Sequence, residues 1–186
     1  MLYQIASFLL DVVGGLLTGA CLLRLYMQWQ RIPFANPVGG LVFALSDWIV
    51  LPLRKLIPPI GRLDVSSLVA AVLFQLVQYF LLALLLSALG GGSSFWTWLP
   101  VLALIGLARV AVSGLIGLLI VHVVMSWVQA HTSLSDAIAR LCGPVLRPFR
   151  RVIPLLGGFD LSPLVLMVLL QVVMMVLGHL QASLVR

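Results

Sequence analysis

The sequence has 186 residues and contains no glutamate; its acids are five aspartates, Asp11, Asp47, Asp64, Asp136 and Asp160. Charged residues make up only 9% of it, against about 25% in a typical soluble domain. That is too little polar surface to cover a water-exposed globule. The two cysteines, Cys21 and Cys142, stand far apart with no metal-ligand spacing, so they read as small apolar residues and not as a disulfide or metal framework. The three histidines, His122, His131 and His179, fall at unmatched depths along the chain and do not suit a shared metal or haem. No basic run carries interleaved aromatics, which argues against nucleic acid despite a net charge of +6. The first residues lack the basic segment of a signal peptide, and the apolar run after them is too long for one.

What is present in excess is apolar residues, at 62% with a mean hydropathy of +1.21. Four runs exceed the roughly 20 residues a helix needs to cross hydrocarbon. They lie at about Gln4 to Trp29, Val65 to Leu89, Leu99 to Val128 and Leu161 to Gln181. The connection after the first span holds Arg31, Arg54, Lys55 and Arg62, and that after the third holds Arg140, Arg147, Arg150 and Arg151; the opposite side holds only Arg186. The positive-inside rule then puts both basic loops in the cytoplasm and both termini outside. On this reading the chain is an all-α membrane protein of four spans with both termini outside. Membrane lipids are its expected surroundings, and no cofactor is expected.

Each basic loop carries an apolar segment of its own. Asn36-Pro37 suits a helix start, with Asn as N-cap and Pro in the first turn, and Val38, Leu41, Val42, Leu45, Trp48 and Ile49 follow at helical spacing. In the second loop, Ser133 and Asp136 resemble a capping box ahead of a matching stripe from Leu134 to Val145. Segments of this length, about 37–53 and 134–147, are expected to lie flat on the cytoplasmic face.

The two halves repeat. With a shift of 96, Pro52-Leu-Arg54-Lys55-Leu-Ile57-Pro58 falls on Pro148-Phe-Arg150-Arg151-Val-Ile153-Pro154, Gly61 on Gly157, Asp64 on Asp160, Ser66 on Ser162 and Gln75 on Gln171. Half of the aligned positions from Pro52 to Gln75 are identical, which marks an internal duplication. Upstream the shift becomes 98, so Trp29 meets Trp127 and Arg24 meets His122. The units are therefore 1–90 and 99–186, joined by an outer linker at 91–98. Two spans per unit make the copies parallel, and a pseudo-twofold along the membrane normal is expected.

Four positions inside the spans are expected to be polar contact points: Asp11, Arg109, Gln75 and Gln171. Asp11 and Arg109 occupy equivalent sites and are expected to pair, because a lone charge in hydrocarbon is expensive. Gln75 and Gln171 sit near mid-membrane and are expected to hydrogen-bond between helices. Gly15 and Gly19, with their counterparts Ser113 and Gly117, form small-x-x-x-small faces for close packing, within one chain or between copies in a homo-oligomer. Arg24 reads as snorkelling to the inner interface.

In the repeated cytoplasmic block, Pro52 and Pro148 stop or kink the interfacial helix, Pro58 and Pro154 keep the chain extended, and Gly61 and Gly157 allow a turn. Asp64 and Asp160 cap the second span of each unit. Arg54, Lys55, Arg150 and Arg151 are the candidate ligands for those carboxylates, for lipid phosphates or for a protein partner.

This block, with Asn36-Pro37 and Trp29 upstream, resembles the YggT family of small bacterial membrane proteins, which has chloroplast relatives. The resemblance covers the whole chain as two copies of the family unit; Thr132-Ser133-Leu134 replaces the Asn-Pro in the second. It implies a non-enzymatic protein tied to osmotic or ion homeostasis, or to cell division and envelope organisation. In the chloroplast relatives it implies haem attachment to a cytochrome complex or nucleoid distribution. The resulting expectation is a scaffold or assembly factor that holds a membrane or cytoplasmic protein, or anionic lipid, on its basic face. A small channel or transporter is the alternative.

Overall fold

The computed structural model describes residues 1–57, 64–88, 94–128, 132–152 and 160–185. Those residues form six helices: α1 (Leu2–Trp29), α2 (Pro37–Leu56), α3 (Val65–Ala88), α4 (Ser94–Val128), α5 (Ser133–Val152) and α6 (Ser162–Val185). Five of them, all but α5, are long and apolar enough to cross a membrane. The expected elbow residues Pro58, Gly61, Pro154 and Gly157 lie outside the described residues.

The helix starts follow local chemistry. The Asn36 side chain accepts from the Gly39 amide at 2.9 Å, with Pro37 in the first turn. In the second unit the cap is Thr132, one residue before the expected Ser133; its hydroxyl accepts from the Ser135 amide at 3.2 Å. Neither Pro52 nor Pro148 ends its helix, since α2 runs on to Leu56 and α5 to Val152. α4 starts at Ser94, so Trp96 and Trp98, expected in the linker, belong to a 35-residue helix that contains Pro100.

The duplication is a structural one. In the first unit Cys21, Val50, Ala70 and Ala71 form a buried cluster where α1, α2 and α3 meet. In the second, Leu119, Cys142, Leu146 and Leu166 do the same for α4, α5 and α6. Leu119, Leu146 and Leu166 are the repeat counterparts of Cys21, Val50 and Ala70. A third cluster, Met27, Ile32, Val42 and Leu141, joins the units, where the Tyr26 hydroxyl donates to the Leu141 carbonyl at 2.8 Å.

The join is not a closed twofold. α3 packs against both α1 and α4, whereas α6, its counterpart, packs on α4 and α5 but forms no comparable pair with α1. The tight approaches therefore fall on glycines other than the expected ones. A Cβ on Gly14 would overlap the Gln78 side chain, and one on Gly106 would overlap Gln75 and Tyr79. Among the four small residues expected at interfaces, Gly19 alone nears another helix: its Cβ would stand 3.7 Å from Val110. Gly15 and Gly117 have open space, and Ser113 is exposed. Because α3 takes the central place, α1 and α4 meet over a short stretch only, and the small-residue face of α4 is left outward.

Candidate anion-binding site on the basic face

At the loop end of the first unit, α1, α2 and the start of α3 converge on two buried charges. Arg24 is 2% exposed. Its guanidinium donates to Ser46 Oγ at 2.8 Å and Asp47 Oδ1 at 2.6 Å, and its Nε stands 3.8 Å from Asp64 Oδ2. The Phe43 ring lies 4.9 Å beneath it, in cation–π range. Arg24 therefore does not snorkel; burial with three oxygens near it is what makes the charge tolerable. Asp64 is fully buried and accepts from Arg54 and from Ser67 Oγ at 2.8 Å. Burial pushes its carboxyl up, but the Arg54 and Ser67 hydrogen bonds together outweigh this and hold it below the ordinary range. Arg54 also donates to Gln28 on α1 at 3.2 Å, which ties the three helices together.

The second unit keeps only the kernel of this network. Arg150 Nε donates to Asp160 at 2.7 Å, and Asp160 accepts from the Ser162 amide at 3.0 Å. Both side chains are partly exposed. Where Arg24, Phe43, Ser46 and Asp47 stand in the first unit, the second has His122, Ala139, Cys142 and Gly143. Cys142 is buried, which pushes its thiol up to about 11, so it is a protonated packing group and not a nucleophile.

The motif arginines Arg54 and Arg150 thus spend their charge on Asp64 and Asp160, while Lys55 and Arg151 beside them are exposed. A different cationic group gathers at the second unit. A cleft of about 640 Å³ lies between the end of α1 and the outward face of α5. Arg31, Arg140 and Arg147 line it, together with Asp136 and the small residues Ala139 and Gly143. None of the three arginines has a carboxylate within 4.0 Å among the described residues.

The repeat explains the cleft. On α2 the corresponding positions hold Phe43, Ala44, Asp47 and Leu51; on α5 they hold Ala139, Arg140, Gly143 and Arg147. The inward faces of the two helices match, with Val42, Ser46 and Val50 buried in one and Ile138, Cys142 and Leu146 in the other. On the outward face Ala44 and Leu51 have become Arg140 and Arg147, and the Phe43 and Asp47 side chains that would fill the space have shrunk to Ala139 and Gly143.

Arg31 is held in a conformation that disfavours it. The Ile32 amide donates to the Met27 carbonyl at 3.0 Å and the Arg31 amide to that of Gln28 at 3.1 Å, the bond pair of a Schellman C-terminus. Arg31 is its left-handed residue, with φ 55°, where glycine is the usual occupant.

The polar groups inside the spans do not pair as the symmetry suggested. Asp11 and Arg109 form no ion pair. Instead each charge meets a glutamine of its own unit: Gln78 Nε2 donates to Asp11 Oδ1 at 2.8 Å, and Arg109 donates to Gln181. Gln181 in turn donates to the Tyr79 hydroxyl at 3.1 Å. Gln75 is buried and donates to Thr18 and Gln78, each at 3.1 Å, and so joins helices as expected. Gln171 does not: it is exposed on α6, because Thr18 and Gln78 are replaced in the second unit by Ile116 and Met174.

Sequence comparison agrees with this two-unit architecture. The CCB3/YggT family profile matches residues 3–85 and again 101–181. The uncharacterized protein YggT of Escherichia coli K12 is 35% identical over 91% of this chain and 87% of its own length. Uncharacterized proteins of Pseudomonas aeruginosa and Vibrio alginolyticus are 33% and 31% identical over 95% and 92% of the chain, and over 90% and 92% of their own lengths. No solved structure matches.

Proposed function

The chain belongs to the CCB3/YggT family, and from that premise we propose that it is a non-enzymatic inner-membrane protein that holds anionic lipid on its cytoplasmic face. In that role it acts as a scaffold or assembly factor for envelope homeostasis, the osmotic and division processes associated with the family resemblance. The observation that carries the proposal is the α1–α5 cleft, whose three arginines have no carboxylate within 4.0 Å among the described residues.

In this reading α1, α3, α4 and α6 span the bilayer and α2 and α5 lie at its inner surface. α2 is apolar enough to cross, but it occupies the same place in its unit as α5, whose Arg140, Arg147, Arg150 and Arg151 do not suit hydrocarbon. Exposed Trp29 and Trp127 near one end of the spans, and Trp96 and Trp98 at the other, suit interfacial anchoring and support this reading. The basic end faces the cytoplasm, where acidic lipids attract arginine at about 1 kcal/mol per residue. The planar guanidiniums of Arg31, Arg140 and Arg147 suit bidentate contact with phosphate oxygens.

Arg31 separates binding from folding. Glycine at that left-handed position relieves about 1–2 kcal/mol of backbone cost but loses about 0.5–1 kcal/mol to chain entropy, so Arg31→Gly keeps or slightly gains stability. The test is lipid binding by native mass spectrometry of the purified protein, with phosphatidylglycerol against phosphatidylcholine. Selective retention of the acidic lipid, lost in Arg31→Gly and in Arg140→Ala/Arg147→Ala but kept in Lys55→Ala, is expected. Equal retention of both lipids sinks the proposal. Retention of an acidic protein in place of lipid transfers the site to a protein partner.

The channel or transporter reading draws on the chain of polar side chains from Asp11 through Gln78 and Gln75 to Thr18. That chain is satisfied side chain to side chain, which is how polar groups join helices in lipid. Ion or osmolyte flux in proteoliposomes that disappears in Gln75→Leu would favour transport over the scaffold.

A further inference from the structure

The open end of the repeat points to a second copy of this chain. Within the chain, the first unit is joined to the second largely by one face of α3 against one face of α4. The α3 face carries Gln75, Tyr79 and Leu82, and the α4 face carries Leu99, Leu102, Ala103 and Gly106. The repeat supplies each face a second time. The counterparts on α6 are Gln171, Met175 and Gly178; those on α1 are Met1, Gln4, Ile5 and Phe8. Among the described residues neither has a helix on it. Met175 is 72% exposed, Phe8 65% and Ile5 55%, and Gly178 has open space beyond its Cα. The α1 face forms a shallow pocket lined by Met1, Gln4, Ile5, Phe8 and Leu9.

Lipid covers apolar faces without penalty, but these two are not wholly apolar. Gln171 lies nine residues into α6 and Asp11 nine residues into α1, each about 14 Å from its helix start and so near mid-membrane. Both are exposed. The Gln171 amide has no hydrogen-bond partner among the described residues, since the counterparts of Gln75's own partners are apolar here. Asp11 accepts from Gln78 through Oδ1, and the residue is exposed. An unpaired amide and an exposed carboxylate with acceptor capacity to spare are donor and acceptor to one another in hydrocarbon.

We propose that this protein forms a homo-oligomer in which the Gln171–Met175–Gly178 face of α6 docks on the Gln4–Phe8–Asp11 face of α1 in a second copy, repeating the α3–α4 joint between chains. In that joint Gly106 stands against Gln75, and Phe8 is its counterpart, so Phe8 meets Gln171 at the same depth, close to the Asp11 carboxylate. Phe8 is large where Gly106 has no side chain, so the helices stand further apart here than α3 and α4 do, with flexible Met175 in place of the Tyr79 ring to pack against it. The contact is heterologous, α6 to α1, so copies form a ring where the rotation per copy closes and an open row where it does not; the smallest ring holds two chains and four units.

Disulfide trapping in native membranes tests this, since the buried thiols of Cys21 and Cys142 stay out of reaction. Gly106 stands against Tyr79 within the chain, so its counterpart Phe8 stands against Met175; the double variant Phe8→Cys/Met175→Cys is expected to cross-link into dimers or higher rings, and either single variant is not. Native mass spectrometry of the unmodified protein is expected to give two or more copies, and Gln171→Leu at least ten-fold weaker association with unchanged thermal stability of the protomer. A monomer at all concentrations overturns the proposal. So does a Met175→Cys cross-link to itself, which would mean a symmetric α6–α6 contact, or full association of Gln171→Leu.

Discussion

Replacing Gly106 by alanine tests the α3–α4 joint most directly. A Cβ there would stand 2.5 Å from Tyr79 Cε2 and 2.9 Å from its hydroxyl oxygen, and closer still to Gln75 Oε1. Contacts that short force something to move. Tyr79 is held by Gln181, and Gln75 by Thr18 and Gln78, so neither can withdraw without breaking a hydrogen bond. Overpacking costs about 1–3 kcal/mol and a lost interhelical hydrogen bond about 0.6 kcal/mol in lipid. Gly106→Ala is therefore expected to destabilise the protein by about 2–4 kcal/mol. Gly117→Ala, on the same helix with nothing within 4 Å, is the matched control and should change stability by less than about 0.5 kcal/mol. Reversible unfolding in mixed detergent–SDS micelles reads both values. If Gly106→Ala is as stable as Gly117→Ala, the close approach of α3 and α4 at that point is refuted.

The two copies of the motif aspartate should respond differently. Asp64→Ala leaves Arg24 and Arg54 beside an emptied buried site and should cost about 3–5 kcal/mol, whereas Asp160→Ala removes a half-exposed pair and should cost about 1 kcal/mol or less in the same assay. Acid should act through the same residue. Because the folded protein holds the Asp64 carboxyl below its ordinary value, its contribution is complete above about pH 4 and is lost as pH falls further; a stability titration of Asp64→Asn should lack that acid limb. Gln75→Leu, which strands Thr18 and Gln78, should cost about 1–2 kcal/mol in mixed micelles, with no loss of helix content by circular dichroism.

Much of this architecture was legible in the chain because its causes are local. Apolar runs located the long helices, the Pro52-to-Gln75 block and its echo showed the duplication, and Asn36-Pro37 announced α2 one helix before any tertiary contact matters. The roles of the charged residues were not legible in the same way. Arg24 sits in an apolar run, where snorkelling is the ordinary outcome; only the return of α2 and the start of α3 bring Asp47 and Asp64 to it. The cleft was missed because Arg31, Arg140 and Arg147 come from two segments more than a hundred residues apart. Its sequence signal lay in the differences between the repeats: Phe43 and Asp47 lost to Ala139 and Gly143, and Ala44 and Leu51 replaced by Arg140 and Arg147.

By itself, then, the sequence determined a duplicated helical unit with a helix between its two long apolar runs, since hydropathy, capping and self-similarity each act along the chain. The tertiary structure decided how the units join and what each charge meets. α3 became the centre, Asp11 and Arg109 went to separate glutamines, and Gln171 was left uncovered while Gln75 was buried. The reason is geometric: two equivalent units joined by a heterologous contact cannot place both copies of a residue in equivalent surroundings. That asymmetry arises only when the second unit packs against the first.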